Sequence, residues 1–383
     1  MIKFDFIKNY DFDFDMDELS KYEMTGWRRN FTDDLTDIYK LRDKVKTNSD
    51  VLVVIGIGGS FLGSKCIYDM FSPYFKKGFE VIYAGYSLSS DYLNDLVNYL
   101  KDKDFSINVI SKSGSTMEIK ITYDVLKDLL IEKYGDNIQD RVIVTTGDKG
   151  FLMDEVNNYG FYKFPFPEDI GGRYSMFTYA HLFPLSFAID IEEFIKGFND
   201  GDNLIKEAYS YALNRYNLFK EEKVVENFVC YEEKYLMFME WIKQLFGESE
   251  GKSGNGVFPV STLFTKDLHS LGQFIQDGNN IMFETILVVR DNKEIKDVNK
   301  TNNIVIDSVR EAHRKGGVES NLIEIDKLNL YDMGSLVKFF FYAAAFSAIK
   351  FGVNPFDQPG VEVYKSEIKN NLWYNWKPRW HYV

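Results

Sequence analysis

Residues 51–64 read VLVVIGIGGSFLGS: seven nearly continuous apolar positions, then glycines and a serine, then a helical pattern. A short apolar run without alternation is what a strand covered on both faces of a parallel sheet requires. Similar runs follow at 80–84, 107–111 and 141–146, with helical spacing between them, as over 116–134. A second series occupies 225–231, 257–262 and 281–289, separated by helical stretches such as 232–246. The expected architecture is α/β, with two units that are each a mainly parallel sheet between helical layers. Residues 1–185 are assigned to the first unit, and 186–383, with a C-terminal helical segment, to the second. At 383 residues the chain is long enough for two cores.

Composition narrows the function. With 45% hydrophobic and 16% aromatic residues the chain has ample material to fold. A net charge of −13 argues against nucleic acid or an anionic membrane as partner, because no general positive field exists. A phosphate ligand would need a local site of backbone N–H groups, hydroxyls and a few cations. Cys66 and Cys230 are the only cysteines, which suits a reducing compartment rather than a disulfide framework. The N-terminal MIKFDFIKNYDFDFDMDELS lacks the cationic start and apolar core of a signal peptide. The longest uncharged apolar run, between Lys338 and Lys350, falls well short of the roughly 20 residues that span a bilayer. A soluble cytoplasmic protein is expected. No H-x-x-H or H-E-x-x-H pair is present to hold a metal, and neither metal nor cofactor is expected.

In open α/β sheets, ligands sit outside the carboxyl ends of the strands. After the first strand comes Gly56-Ile57-Gly58-Gly59-Ser60-Phe61-Leu62-Gly63-Ser64. A dinucleotide fingerprint would need glycine at Phe61 and an acid near Tyr83-Ala84-Gly85-Tyr86; neither is there, and the Walker spacing fails too. After the third strand comes Ser111-Lys112-Ser113-Gly114-Ser115-Thr116, with more hydroxyls than one N-cap uses. Alone, the first loop is a tight turn and the second a serine-rich surface loop. At neighbouring strand ends they read as a cup for a phosphate dianion.

Polar groups set among glycines recur further on. They are Gly171-Gly172-Arg173-Tyr174-Ser175, Gln244 in the 232–246 pattern, and Glu248-Ser249-Glu250-Gly251-Lys252 just past that helix. Asp267-Leu268-His269 and the turn-rich stretch from Asn354 through Gln358 to Lys365 complete the set. Separately these read as a surface arginine, a polar helix end, a structural histidine and a loop.

In chain order, VVIGIGGSFLGSK, SKSGSTMEI, GGRYS, ESEGK, HSLGQFIQDG and NPFDQPGVEVYK resemble the successive signature blocks of the phosphoglucose isomerases. The resemblance implies two sugar-isomerase (SIS-type) domains and interconversion of glucose 6-phosphate and fructose 6-phosphate, in glycolysis and gluconeogenesis. It implies Glu248 as the base that moves a proton between C1 and C2, Arg173 as the cation beside the enediolate, and His269 with Lys365 as the ring-opening pair. Gly59, Ser60, Ser111, Lys112, Ser113 and Thr116 match the phosphate cradle, with Gly59 and Lys112 contributing backbone; Gln244 and Gln358 match positions that bond the sugar or phosphate. It further implies a homodimer in which His269 acts on the partner's site. The family carries asparagine where Glu250 stands, threonines at Ser113 and Ser115, and tyrosine at Phe61. Glu250 is thus expected either to raise the pKa of Glu248 or to point into solvent. The alternatives are an isomerase that also accepts mannose 6-phosphate, an arabinose-5-phosphate isomerase, and a non-catalytic SIS-type regulator. The second is built from a single domain. The last would have no reason to keep Glu248, Arg173, His269 and Lys365 together.

Overall fold

A computed structural model describes the chain except residues 9, 11–16, 76–77, 115, 292–294 and 376–383, so Ser115 and the tryptophan-rich end beyond Asn375 lie outside the described residues. The chain opens with β1 (Ile2–Asp5), α1 (Asp17–Ser20) and α2 (Thr36–Asn48). It then alternates through β2 (Val51–Ile55), α3 (Leu62–Phe71), β3 (Glu80–Ala84), α4 (Ser90–Lys101) and β4 (Phe105–Ser111). The same rhythm continues in α5 (Met117–Tyr134), β5 (Val142–Thr146), α6 (Phe151–Tyr159) and β6 (Tyr162–Pro165). Helices α7 (Tyr179–Leu185), α8 (Ile191–Asp200) and α9 (Ile205–Lys220) lead into the second series. That series runs β7 (Val225–Cys230), α10 (Leu236–Glu250), β8 (Phe258–Leu263), α11 (Leu268–Asp277) and β9 (Met282–Val289). It ends with α12 (Lys296–Lys315), β10 (Ser320–Ile325), α13 (Leu330–Lys350) and α14 (Pro359–Asn375).

The strands form two five-stranded sheets, ordered β3-β2-β4-β5-β6 and β1-β10-β9-β7-β8. All pairings in the first are parallel, and in the second only β1 with β10 is antiparallel. Both sheets follow one plan: the chain steps to one side of its first strand and returns to the other. The order therefore reverses between β2 and β4 in the first sheet and between β7 and β9 in the second. Every residue of β2, β4 and β5 is buried, as the unbroken apolar runs required.

Strands β1, β6 and β10 escape the sequence pattern, each for a different reason. β1 alternates half-buried with exposed at the edge of the second sheet, although it lies at the start of the first half. β6 is an edge strand of four residues. β10 is inside its sheet, but its polar side chains are met by tertiary partners. Asn321 bonds Thr285 and the N–H of Ile7, and Glu324 takes Arg290 at 2.6 Å.

Helix α13 is the central core helix, packed on α8 and α9. Over its most apolar window 94% is buried within the protein. Lys338, which divides its apolar sequence, is fully buried and paired with Asp202 at 3.1 Å.

Candidate active site

The loops after β2 and β4 emerge side by side, because the two strands run in register from Val51 opposite Phe105 to Ile55 opposite Val109. Gly58–Ser60 forms one turn of 3-10 helix ahead of α3. At Gly59 the backbone lies so close to Gly172 that a Cβ would come within 2.3 Å of its carbonyl carbon. This contact sets the Gly171–Ser175 loop directly on the first loop. Ser175 Oγ donates to Gly172 O at 2.7 Å. On the other side, a Cβ at Gly58 would lie 2.9 Å from Nε2 of Gln244.

Behind the first loop stands His181, which the sequence reading passed over. Its Nδ1 accepts the Ser64 N–H at 2.9 Å, and its Nε2–H donates to Gly59 O at 2.8 Å. That tautomer follows from the partners, since an amide N–H only donates and a carbonyl only accepts. Burial pushes the ring's pKa down to about 4, which keeps it neutral. Helix α3 thus has an orphan N–H of its first turn satisfied by a side chain 117 residues away. No local pattern around His181 announces this.

In the second loop, Ser111 Oγ lies 3.4 Å from Thr116 Oγ1 and accepts the Gly114 N–H at 3.1 Å. Thr116 is the N-cap of α5, and its side chain makes no capping bond. Its hydroxyl is directed to Ser111 instead. Ser113, between them in the loop, is exposed. Lys112 turns its ammonium away, to the carbonyls of Glu168 (2.7 Å) and Ile170 (2.9 Å), and so ties this loop to the segment that leads to Arg173. Burial lowers the pKa of Lys112.

Arg173 is only 3% exposed and is the junction of the site. Nε donates to Ser249 Oγ at 2.9 Å, Nη1 to Glu248 Oε2 at 3.3 Å and to Gln358 Oε1 at 2.7 Å. Nη2 donates to the carbonyls of Pro355 and Asp357. All five guanidinium N–H groups are therefore engaged. Glu248, with a side chain 34% exposed, accepts from Gln244 Nε2 at 3.1 Å through its other oxygen. Lys252 fastens the 354–358 loop through Asn354 O and an ion pair with Asp357 at 2.8 Å.

Two expectations need correction. Helix α10 does not end before Glu248 but runs through Glu250, so Gln244 and Glu248 are i,i+4 neighbours on one face. The helical spacing read from sequence stops at 246; in the structure two acids occupy the last turn, and Arg173 and Arg215 supply the positive charge that this end of the helix lacks. Glu250 points neither toward Glu248 nor into solvent. Two residues along a helix is a rotation of about 200°, and Glu250 enters the core to meet Arg215.

The structure thus joins Gly59, Arg173, Gln244, Glu248 and Gln358 in one contact network, with Ser60 next to Gly59 in the same loop and Ser111, Lys112, Ser113 and Thr116 linked to it through Lys112. It does not bring His269 or Lys365 to it within one chain. His269 is exposed on α11, and Lys365, on α14, pairs with Glu362 at 3.1 Å. Neither side chain bonds Arg173, Glu248 or Gln358. Among the described residues no cluster of His, Cys, Asp and Glu is arranged to hold a metal ion.

Known proteins give the arrangement its context. Residues 29–258 match the sequence profile of the family described as phosphoglucose isomerase. The chain is 41% identical to glucose-6-phosphate isomerase of Mycoplasmopsis pulmonis, over 91% of this chain and 90% of that one. It is 43% identical to glucose-6-phosphate isomerase of Acholeplasma laidlawii, over 88% and 86%. Among solved structures, a glucose-6-phosphate isomerase from Chlamydia trachomatis superposes with a TM-score of 0.78 at 19% identity, over 92% of this chain and 78% of that one. A hypothetical protein from Thermus thermophilus gives the same TM-score at 25% identity, over 93% and 92%.

Proposed function

This chain belongs to the phosphoglucose isomerase family, and from that premise we propose how its residues divide the work of the reaction. The reaction is the interconversion of D-glucose 6-phosphate and D-fructose 6-phosphate, an aldose–ketose isomerisation of glycolysis. Glu248 takes the proton from C2 of the open-chain aldose and returns it to C1, and the reverse for the ketose. Between these steps a cis-enediolate carries negative charge on oxygen, and the guanidinium of Arg173 is fixed beside it. Because every N–H of Arg173 already has an acceptor, a substrate oxygen reaches it by replacing Gln358 Oε1 or Glu248 Oε2. The phosphate sits over Gly59, Ser60, Ser111, Lys112, Ser113 and Thr116, held by amides and hydroxyls rather than by net charge. Gln244 orients Glu248, and Gln358 contacts the sugar.

Ring opening needs a proton delivered to the ring oxygen, and His269 with Lys365 fills that role. Neither reaches the cluster in its own chain, so we assign His269 to the site of a second copy. The exposure of α14 supports this: each residue from Glu362 to Asn371 faces solvent in the single chain. Helices in proteins draw most of their stability from packing an apolar face, and residues 362–371 of α14 have no such cover within the chain. Leu271 and Phe274, 41% and 47% exposed, add apolar surface on α11 beside His269. A homodimer is the reading these features favour.

The observation that carries the assignment is Arg173, which gathers Glu248, Ser249 and Gln358 from segments far apart in the chain. Replacement Glu248→Gln is expected to abolish conversion of fructose 6-phosphate in a coupled assay while substrate still binds. Retention of more than roughly a few per cent of activity would mean the base is misassigned. Mannose 6-phosphate and a chelator belong in the same assay, to test substrate breadth and metal independence.

A further inference from the structure

Glu250 has no part in the scheme above, yet it is fully buried two residues from the base. Its carboxylate accepts two bonds from Arg215 Nη1, at 2.8 and 2.6 Å. Ser347 Oγ on α13 donates to it at 2.6 Å, and the N–H of Val257, just before β8, at 3.0 Å. Arg215, on α9, is itself fully buried; its guanidinium lies 4.0 Å from the ring centroid of Phe246, one turn before Glu250 on the same face of α10. Its Nε donates to Glu226 on β7 at 2.6 Å, and Glu226 is further held by Tyr211 and Thr285.

We propose that Glu250 is a positioning residue for the reaction: through Arg215 it holds the last turn of α10 at the depth and rotation that present Glu248 to the substrate. The last turn carries no basic residue and two acids, so it is unfavourable by itself. Its ordering depends on cations from outside the helix. Arg173 grips it from the site side through Glu248 and Ser249, and Arg215 grips it from the core side. Arg173 is also anchored to Pro355 and Asp357, which do not belong to α10. The distance between base and guanidinium is therefore set by two independent anchors, and Arg215 with Glu250 is the one that places the base. The inference rests on the reading of Glu248 as base.

Glu250→Gln tests it. The change leaves Arg215 matched one-to-one with Glu226, so no buried carboxylate loses its partner and the fold is kept. The expected result is a kcat lower by roughly ten- to a hundredfold, as small displacements of a catalytic group produce. KM should stay within about threefold, because substrate binding is uniform between the two proteins. A lowered thermal midpoint with kcat intact would make the pair a core contact only and would overturn the proposal. If Glu250→Gln does not fold, Glu250→Asp keeps the charge and shortens the tether by one methylene; kcat should again fall with KM held, and an unchanged kcat overturns the idea. Full activity in Glu250→Gln beside an inactive Glu248→Gln removes this inference alone. An active Glu248→Gln removes the base and this inference together.

Discussion

Arg173 and His181 work at opposite ends of the same problem, which is how loops keep the geometry of a site. Arg173 uses its charge and all of its donors; His181 uses a neutral ring, one nitrogen accepting and the other donating. Neutrality has a consequence for stability. The folded protein keeps His181 unprotonated down to pH about 4, whereas an unfolded chain binds the proton near 6.5. Between those values the unfolded state holds more protons, so this contribution is complete above pH 6.5 and lost as pH falls toward 4. At about 1.4 kcal/mol per pH unit the loss amounts to about 3 kcal/mol. Urea unfolding of the wild type and His181→Gln at pH 7 and 4.5 measures it. The wild type should lose more stability on acidification than the variant, and superimposable pH dependences would refute the assignment.

At the scale of elements, the proposed phosphate cup is two strand-to-helix turns brought together by the parallel pairing of β2 with β4. Cups of this kind act through hydroxyls and amides that are equally bonded before and during the reaction. The double variant Ser111→Ala/Thr116→Val is accordingly expected to raise KM by roughly ten- to a hundredfold, as the loss of charge-assisted bonds implies, and to change kcat little. A fall in kcat with KM unchanged would place these hydroxyls at the reacting carbons instead. Helix α10 illustrates the converse, an element whose end is fixed by cations on other elements rather than by its own capping.

At the scale of the molecule, the open question posed by α11 and α14 is one of assembly. If His269 serves the partner's site, inactive Glu248→Gln and His269→Ala proteins should complement each other. Random exchange of subunits makes half of the dimers mixed, each with one intact site, so activity should recover to roughly a quarter of wild type. Recovery of none, with subunit exchange verified by a tag, would place His269 in its own chain's site. Replacing Val363 and Ile368 on the exposed α14 with aspartate should yield monomers, measurable by light scattering, with isomerase activity lost.

From the chain alone came the strands buried on both faces, the two-sheet layout and the order of the chemical groups, because burial on both faces leaves an unbroken apolar run and a tight turn leaves glycines. These are local signals, written within ten residues or so of where they act. The strands β1, β6 and β10 were invisible because edges and satisfied polar positions carry no such run. The end of α10 was misread because the amphipathic spacing read from sequence covers only 232–246, whereas the last turn is held by Arg173 and Arg215 from other elements. Tertiary structure alone decided that Glu250 faces the core, that His181 completes α3 from 117 residues away, and that Lys112 points to carbonyls rather than to an anion. A buried charge or ring nitrogen is stable only with a partner in contact, and which residue supplies that contact is settled by packing between distant segments.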